Sequence, residues 1–186
     1  ALPRFTSSDL ALMPEDGKRY EVIDGDLHVT HQPNWHHQFA ASRLYRFLDE
    51  WSEATGLGLA NTAPGVIFAE DEDVAPDVVW ISQTRLRTAL GADGKLHSAP
   101  ELAIEVLSPG SRNVSRDKQT KLKLYSRRGV QEYWVVDWQQ QQVEVYQRQQ
   151  EQLALLKTCL GEDKLSSPLL PGFECPISRL WMPPLL

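Results

Sequence analysis

The sequence predicts a mixed α/β fold, an α+β arrangement in which helices flank a central mixed sheet and extra β-hairpins lie outside it. Short apolar runs alternate with segments of helical periodicity. The run from Leu102 to Leu107 is apolar on both faces except at Glu105, which is typical of a strand covered on both sides. A length of 186 residues suits one well-buried core, so a single domain over residues 1–186 is expected.

The first element is predicted to be a β-hairpin. Asp24 and Gly25 separate two β-prone runs, residues 20–23 and 26–30. An Asp-Gly pair in that position favours a type I′ turn. The start of the first run could equally be the end of a short helix.

A long helix is predicted over residues 34–56, where apolar side chains recur at helical spacing. Asn34 suits the N-cap, and Gly56 suits the residue that ends the helix. His36 and His37 are adjacent and point in different directions, so a joint metal site is not expected. His37 is interpreted as a hydrogen-bonding residue of the helix start or as a residue close to a pocket.

Three strands are predicted next, at residues 57–61, 65–69 and 77–81, with an acidic loop at 70–76 before the third. A short helix near residues 84–90 then precedes the central strand. The third of these strands and the central strand are expected to be neighbours in one sheet.

The second half of the chain begins with a basic helix, predicted over residues 111–128 and closed by Gly129. A strand at 132–136 follows, and then an outer hairpin formed by 143–147 and 153–159. The tail contains several Pro and Gly residues. It is therefore expected to lack long regular structure and to pack onto the body through its Leu, Phe and Trp side chains.

The formal net charge is −6, which counts against nonspecific binding to nucleic acid. Residues 112–128 nevertheless carry seven Lys or Arg against one acid, Asp117. Such a run is most often a solvated helix face, but it would also suit phosphate binding. Trp80, Trp134 and Trp138 lie in or beside apolar strands and are interpreted as packing residues rather than base-stacking platforms.

No apolar run approaches the roughly 20 residues needed to cross a bilayer, and the first ten residues lack the features of a signal peptide. A cytoplasmic protein without membrane contact is expected. Cys159 and Cys175 do not have the spacing of a zinc motif. They are interpreted as structural thiols, and their pairing is left open.

Two acids and a lysine could form a phosphodiesterase site, because phosphodiester hydrolysis needs a divalent cation and further positive charge near the attacking water. Asp77 opens one apolar strand, and Glu105 interrupts another, where an ionised carboxylate is costly without a partner. Lys121 could be that partner, and Asp117 on the same helix face could orient it or support the helix start. A structural ion pair of Glu105 with Lys121 or Lys123 is the alternative to a metal site.

Six blocks of sequence stand out along the chain. They are YEVIDGDL from Tyr20, His37-Gln38, APDVVWIS from Ala75, APELAIEVLSPGS from Ala99, RDKQTKLKLYSRRGVQEYWVVD from Arg116, and SPLLPGFE near the end. In this order they resemble a large bacterial family described as restriction endonucleases, within the PD-(D/E)XK nuclease superfamily. The resemblance covers nearly the whole chain, and its strength lies in the combination because each block alone is weak.

The resemblance implies a restriction-endonuclease-like core and an endonuclease that cuts DNA with Mg²⁺ or Mn²⁺. By matching position, Asp77 and Glu105 are the metal-binding acids, and the backbone carbonyl of Val106 would bind the metal as well. Lys121 corresponds to a catalytic lysine displaced from the strand to the helix. Glu21 resembles the additional acid that some members contribute from the N-terminal region.

Leu107 stands where the superfamily usually has its lysine, so the strand motif alone does not establish activity. A catalytically silent module that binds DNA or a protein on the same fold is therefore the alternative function. A structural homo-oligomer is a further rival. A homodimer would suit an enzyme that cuts both strands, and the DNA sequence it would recognise is not readable here.

Overall fold

The computed structural model describes residues 4–185, apart from the side chain of Ser111; residues 1–3 and 186 of the predicted domain lie outside the described residues. The α-helices are α1 (Ser7–Leu10), α2 (Trp35–Thr55), α3 (Gln83–Ala89), α4 (Ser111–Ser115) and α5 (Leu122–Arg128). A π-helical segment (Arg116–Lys121) joins α4 to α5, and a 3₁₀-helix (Ile177–Leu180) lies near the end. The strands are β1 (Arg19–Ile23), β2 (Asp26–Thr30), β3 (Gly58–Thr62), β4 (Val66–Ala69), β5 (Glu72–Val74), β6 (Val78–Ser82), β7 (Leu102–Val106), β8 (Glu132–Asp137), β9 (Gln142–Gln149), β10 (Gln152–Leu160), β11 (Lys164–Ser167) and β12 (Leu170–Pro176).

A six-stranded mixed sheet lies at the centre, with the strand order β10-β9-β8-β7-β6-β3. β7 and β8 run parallel, with Ile104 opposite Trp134, and the other neighbours are antiparallel. A parallel pair needs a long crossover, which the segment from α4 to α5 supplies. The predicted mixed sheet flanked by helices is therefore confirmed, and β7 is buried along its whole length.

Residues of β7 alternate between the two faces of this sheet. Ile104 belongs to a buried cluster with Trp134 and the inner side of α2. Ala103 belongs to a second cluster on the opposite face, together with Tyr125 of α5. Glu105 shares the face of Ala103, so its carboxyl group points towards the crossover helices rather than towards α2.

The predicted hairpin is confirmed, and its turn is of the expected type. Asp24 has φ of 53° and Gly25 has φ of 76°, and both values must be positive in a type I′ turn. The hairpin belongs to a separate antiparallel sheet with the order β2-β1-β5-β4. The loop predicted at residues 70–76 is wrong in part, because Glu72–Val74 forms β5 of this sheet. Two arginines of α5 donate to the buried carboxylate of Glu72, which allows an acidic strand to pack there.

The helix predicted over residues 111–128 is interrupted in its middle. Arg116–Lys121 forms a π-helical segment, in which the wider turn changes the direction of the side chains relative to a continuous α-helix. Asp117 and Lys121 of this segment are both buried. This local departure from α-helical geometry could not be read from the spacing of apolar residues.

The tail forms regular structure, contrary to the prediction. β11 and β12 pair antiparallel, with Leu165 opposite Cys175. Pro171 and Gly172 lie at exposed positions of β12, where a strand in a small two-stranded sheet tolerates such residues. As predicted, apolar tail residues pack onto the main core, and Cys159 and Cys175 are buried free thiols. None of the helices within residues 4–185 is long and apolar enough to span a membrane.

Candidate active site

The predicted acids meet at one hollow of about 180 Å³. Glu21 lies in β1 of the smaller sheet, Asp77 immediately precedes β6, and Glu105 lies in β7. Val106 follows Glu105 and lines the same hollow. The two sheets therefore bring together three carboxyl groups from distant parts of the chain.

Asp77 is held by donors on both of its oxygens. Nη1 of Arg19 lies 2.8 Å from Oδ1, and the backbone nitrogen of Val106 donates to Oδ2 at 2.9 Å. Nε2 of His37 lies 3.2 Å from Oδ2. Burial acts to raise the pKa of this carboxyl, but His37 and Arg19 outweigh burial and hold the pKa below its usual range. Asp77 is therefore an ionised carboxylate in a fixed orientation.

Lys121 lies between two acids. Its Nζ donates to Oε1 of Glu105 at 2.8 Å and to Oε1 of Glu21 at 2.9 Å. The hydroxyl of Tyr125 donates to the same oxygen of Glu105 at 2.8 Å, and the backbone nitrogen of Ala75 donates to Glu21 at 2.8 Å. The three charged side chains are at most 2% exposed. They form a buried network in which hydrogen bonds accompany each charge.

The charges in this network shift the pKa values of Glu105 and Lys121. Burial raises the pKa of Glu105 to about 8, and the negative charges of Asp77, Asp117 and Glu21 add to this while Lys121 opposes it. Burial acts to lower the pKa of Lys121, but Glu105 and Glu21 raise it above its ordinary value. Lys121 is therefore protonated at neutral pH, and Glu105 is the acid of the hollow that most readily retains a proton.

Lys121 lies behind Glu105 and Glu21, because these two acids line the hollow and Lys121, which donates to both, does not. Arg19 and Arg116 do line the hollow. The sequence had not singled out Arg19 as a site residue. A signal was nevertheless present, because Arg19 precedes Glu21 by two positions in β1 and therefore shares its face.

Asp117 is joined to Arg116 rather than to Lys121. Nε of Arg116 donates to Oδ1 of Asp117 at 2.9 Å, and Nη1 of Arg116 donates to Oγ1 of Thr30 at 2.9 Å. The hydroxyl of Tyr133 donates to the backbone carbonyl of Asp117 at 2.8 Å. Asp117 thus influences Lys121 through its charge, while it orients the guanidinium group that lines the hollow.

The basic surface considered for residues 112–128 is largely neutralised in the folded chain. Lys118, for example, donates to Glu144 at 2.7 Å on the neighbouring β9. The helix face as a whole therefore offers little uncompensated positive charge, although Arg116 also lines the hollow. Five of the seven cations form ion pairs with carboxylates, namely Arg116, Lys118, Lys121, Arg127 and Arg128.

The oxygen atoms of the hollow suit a hard divalent cation. Oδ1 of Asp77 accepts from Arg19 and keeps a second lone pair, and Oε2 of Glu105 accepts no hydrogen bond from the described residues. Mg²⁺ prefers oxygen ligands and is usually held by one or two carboxylates together with several waters. The described part of the chain holds no group of three or more His, Cys, Asp or Glu side chains arranged for a metal ion. The donor set thus fits an open site rather than a closed protein cage.

The chain matches a family model and resembles a protein of known structure. The family model Uma2, described as "Putative restriction endonuclease", matches residues 7–178. A protein from Anabaena variabilis ATCC 29413, described as "a putative nuclease belonging to DUF820", has a similar structure with a TM-score of 0.75. Its sequence is 20% identical, and the alignment covers 95% of this chain and 97% of that one, which shows a shared fold. No curated protein matches the chain.

Proposed function

The chain belongs to the Uma2 family, and on that premise we propose that it is a metal-dependent endonuclease that hydrolyses phosphodiester bonds of DNA. One observation carries the proposal. Asp77, Glu105 and Glu21 converge on a single hollow that two arginines also line. Acids for a cation and fixed positive charges for phosphate are the groups that phosphodiester hydrolysis requires.

Asp77 and Glu105 would hold Mg²⁺ or Mn²⁺, together with the backbone carbonyl of Val106. When bound, such a cation makes a water nucleophilic near neutral pH and stabilises negative charge on the phosphate. The contribution of the chain is to keep its ligands in place. The backbone nitrogen of Val106 and the side chain of Arg19 do this for Asp77, and Tyr125 does it for Glu105.

Lys121 would act as a fixed positive charge. Because Glu105 and Glu21 raise its pKa, the ammonium group does not readily give up its proton, so it cannot take a proton from water. Lys121 would therefore act by positioning other groups and not by deprotonating the nucleophile. Through its hydrogen bonds it sets the positions and charge of Glu105 and Glu21, which line the hollow.

Arg19 and Arg116 are suited to contact the phosphate itself. A guanidinium group is always protonated and presents several donors that match phosphate oxygens. The Arg19 side chain is 31% exposed and that of Arg116 is 10% exposed, whereas Lys121 is closed off. Since Asp77 and Asp117 each occupy one side of these arginines, their directions are already set before a substrate binds.

The proposal is tested by incubating the purified chain with supercoiled plasmid, linear duplex DNA and single-stranded DNA in Mg²⁺, Mn²⁺ or EDTA. Cutting is expected with either metal and not with EDTA. Asp77→Asn and Glu105→Gln are expected to cut at least about 100-fold more slowly, because each removes a carboxyl group that would bind the metal. Glu174→Gln is the matched control, since Glu174 is an exposed acid that pairs with Lys164.

Calorimetry with Mn²⁺ and circular dichroism of each variant complete the test. Asp77→Asn should keep the fold, because an amide oxygen can still accept from the backbone of Val106, and it should lose Mn²⁺ binding. Absence of cutting by the wild-type chain in both metals, or equal cutting by Asp77→Asn, would overturn the proposal. Salt-sensitive DNA binding without Mn²⁺ binding would instead support the catalytically silent binding module. Sedimentation of the same sample tests the proposed homodimer.

A further inference from the structure

A second cavity, of about 350 Å³, opens beside the start of α2. Two aromatic side chains, which together are called the aromatic floor, line this cavity. They are His36 and Trp138, whose rings stack with centroids 4.9 Å apart and planes inclined by 8°. Trp181 and Met182 add apolar surface, and Gln139 adds an amide group. The cavity therefore combines a flat aromatic floor, apolar sides and hydrogen-bonding groups.

A hydrogen bond and packing against the core fix the position of Trp138 in the aromatic floor. Nε1 of Trp138 donates to the backbone carbonyl of Leu107 at 3.0 Å, and its ring packs against the main core. Oδ1 of Asp137 accepts from the backbone nitrogens of Gln139 and Gln140 at 3.1 and 2.9 Å, which orders the turn after β8. The interpretation of Trp138 as a packing residue is therefore incomplete, because it also supports a ring that faces the cavity.

His36 is exposed, and Trp138 covers one face of its ring. The remaining face and the edges of the imidazole provide its exposed area. A third flat ring can therefore continue the stack. Nucleobases stack on Trp, Tyr, Phe and His in single-stranded nucleic acids, where the bases are not covered by their own duplex neighbours.

The cavity and the acidic hollow are formed by neighbouring residues at two places in the chain. His36 is followed by His37, which contacts Asp77, and the Leu107 carbonyl bound by Trp138 belongs to the residue after Val106. Neighbouring residues have Cα atoms about 3.8 Å apart. At both places, therefore, a residue that forms or holds the cavity lies within one residue along the chain of a residue that lines the hollow.

The charge distribution also favours stacking as a source of affinity. The net charge of the chain is −6, and five of the seven cations of residues 112–128 are in ion pairs. Binding to duplex DNA depends mainly on contacts between cations and phosphates. Stacking on aromatic rings supplies affinity for unpaired strands without many such contacts.

We propose that the cavity formed by His36, Trp138 and Trp181 is a nucleobase-stacking subsite, and that the substrate presents an unpaired strand next to the phosphate that is cut. The inference rests on the proposed endonuclease function and narrows its substrate to single-stranded nucleic acid or to the unpaired part of a junction. Gln139 and Gln141 are placed to hydrogen-bond the edge of the stacked base.

The test measures fluorescence anisotropy of labelled oligonucleotides of about 12 nucleotides, a length within the range of single-strand binding sites. Single-stranded DNA, single-stranded RNA and blunt duplex DNA of one sequence are compared in EDTA, so that no cutting takes place. The wild-type chain should bind the single strand more tightly than the duplex. His36→Ala should weaken single-strand binding by about 5- to 150-fold, the effect of losing one stacking contact.

His36→Phe should retain binding because it keeps the aromatic ring. His97→Ala is the matched control, since His97 is a half-exposed imidazole that contacts Asp93 in another part of the chain. Equal binding of the single strand by wild type, His36→Ala and His36→Phe would overturn the subsite, and so would tighter binding of the duplex. The comparison of single-stranded RNA with single-stranded DNA shows which of the two the subsite binds more tightly.

Failure of this inference can be told apart from failure of the endonuclease proposal. Cutting that depends on metal and Asp77, together with single-strand binding that does not change in His36→Ala, would remove only the subsite. Single-strand binding that depends on the ring of His36, without cutting in Mg²⁺ or Mn²⁺, would remove the endonuclease and leave the subsite as a binding site.

Discussion

Nζ of Lys121 lies 2.8 Å from Oε1 of Glu105, and both side chains are almost fully buried. The two residues are 16 positions apart and come from the π-helical segment and β7. Moving two ions out of water costs free energy, and close pairing with further hydrogen bonds offsets that cost. The pair is therefore a requirement of the folded state as well as part of the proposed site.

Lys121→Met is expected to lower the free energy of unfolding by about 3–5 kcal/mol, because it leaves Glu105 and Glu21 buried without their common cation. Urea denaturation in EDTA measures this change. Lys164→Met is the control, since the exposed pair of Lys164 with Glu174 should contribute about 0–1 kcal/mol. Equal effects of the two substitutions would contradict the prediction. Loss of cutting in Lys121→Met would therefore combine effects on folding and on chemistry.

Arg19→Met is expected to slow metal-dependent cutting by at least about tenfold, because Asp77 loses a donor and the hollow loses a charge that would face phosphate. Arg85→Met is the matched control. Arg85 also donates to a backbone carbonyl at 3.1 Å and lies near an acid, Glu101, but on a different part of the sheet. Plasmid relaxation rates compare the two variants. A slower rate in Arg85→Met than in Arg19→Met would point to a general effect on folding.

The stability of the chain is expected to depend on pH through Glu132, which is fully buried in β8 and accepts from Nε1 of Trp134 at 2.9 Å. Burial raises the pKa of Glu132 above its ordinary value. Between the pKa of the unfolded chain and this raised value, the folded state binds a proton that the unfolded state has released. The contribution of Glu132 to stability is therefore present at low pH and is lost as the pH rises through this window.

Glu132→Gln removes this titration. Its free energy of unfolding, relative to that of the wild type, should rise as the pH increases from about 4 to about 8. A difference in the free energy of unfolding that does not depend on pH is also expected. Trp134 and Gln147 donate to the two carboxylate oxygens of Glu132, and in Glu132→Gln one of these donors would face the amide nitrogen, which is itself a donor. The slope with pH is thus the measured quantity, and parallel stability curves from urea denaturation would contradict the prediction.

Gly58→Ala is expected to destabilise the fold by about 1–3 kcal/mol through overpacking. A Cβ atom at Gly58 in β3 would collide with the backbone carbonyl of Ile81 and lie 2.5 Å from Cζ2 of Trp80. Thermal unfolding measures the effect. Leu59→Ala, at a half-exposed position of the same strand, serves as the control and should change stability less. A Gly58→Ala variant as stable as wild type would show that the edge of the sheet can shift.

Much of the fold followed from the sequence because its signals were local. The Asp24-Gly25 turn requires positive φ values that few residue pairs adopt, and this located the hairpin. The run at residues 102–107 is apolar on both faces except at Glu105, which is typical of a covered strand, and this located β7. The prediction for the tail was wrong for a different reason. Pro171 and Gly172 are compatible with β12 because they are exposed, and their exposure depends on contacts with the rest of the chain.

The cost of burying an unpaired carboxylate was enough to predict from the sequence that Glu105 needs a partner, and Lys121 was a sound candidate because of its helix face. The π-helical segment, the depth of Lys121 behind the hollow and the approach of Arg19 to Asp77 were decided only in the tertiary structure. Propensity and periodicity act over a few residues along the chain, so they determine elements and the groups those elements carry. The direction of a charged side chain depends on which opposite charge it meets when remote segments pack, and that is settled only when the two sheets and the crossover helices come together.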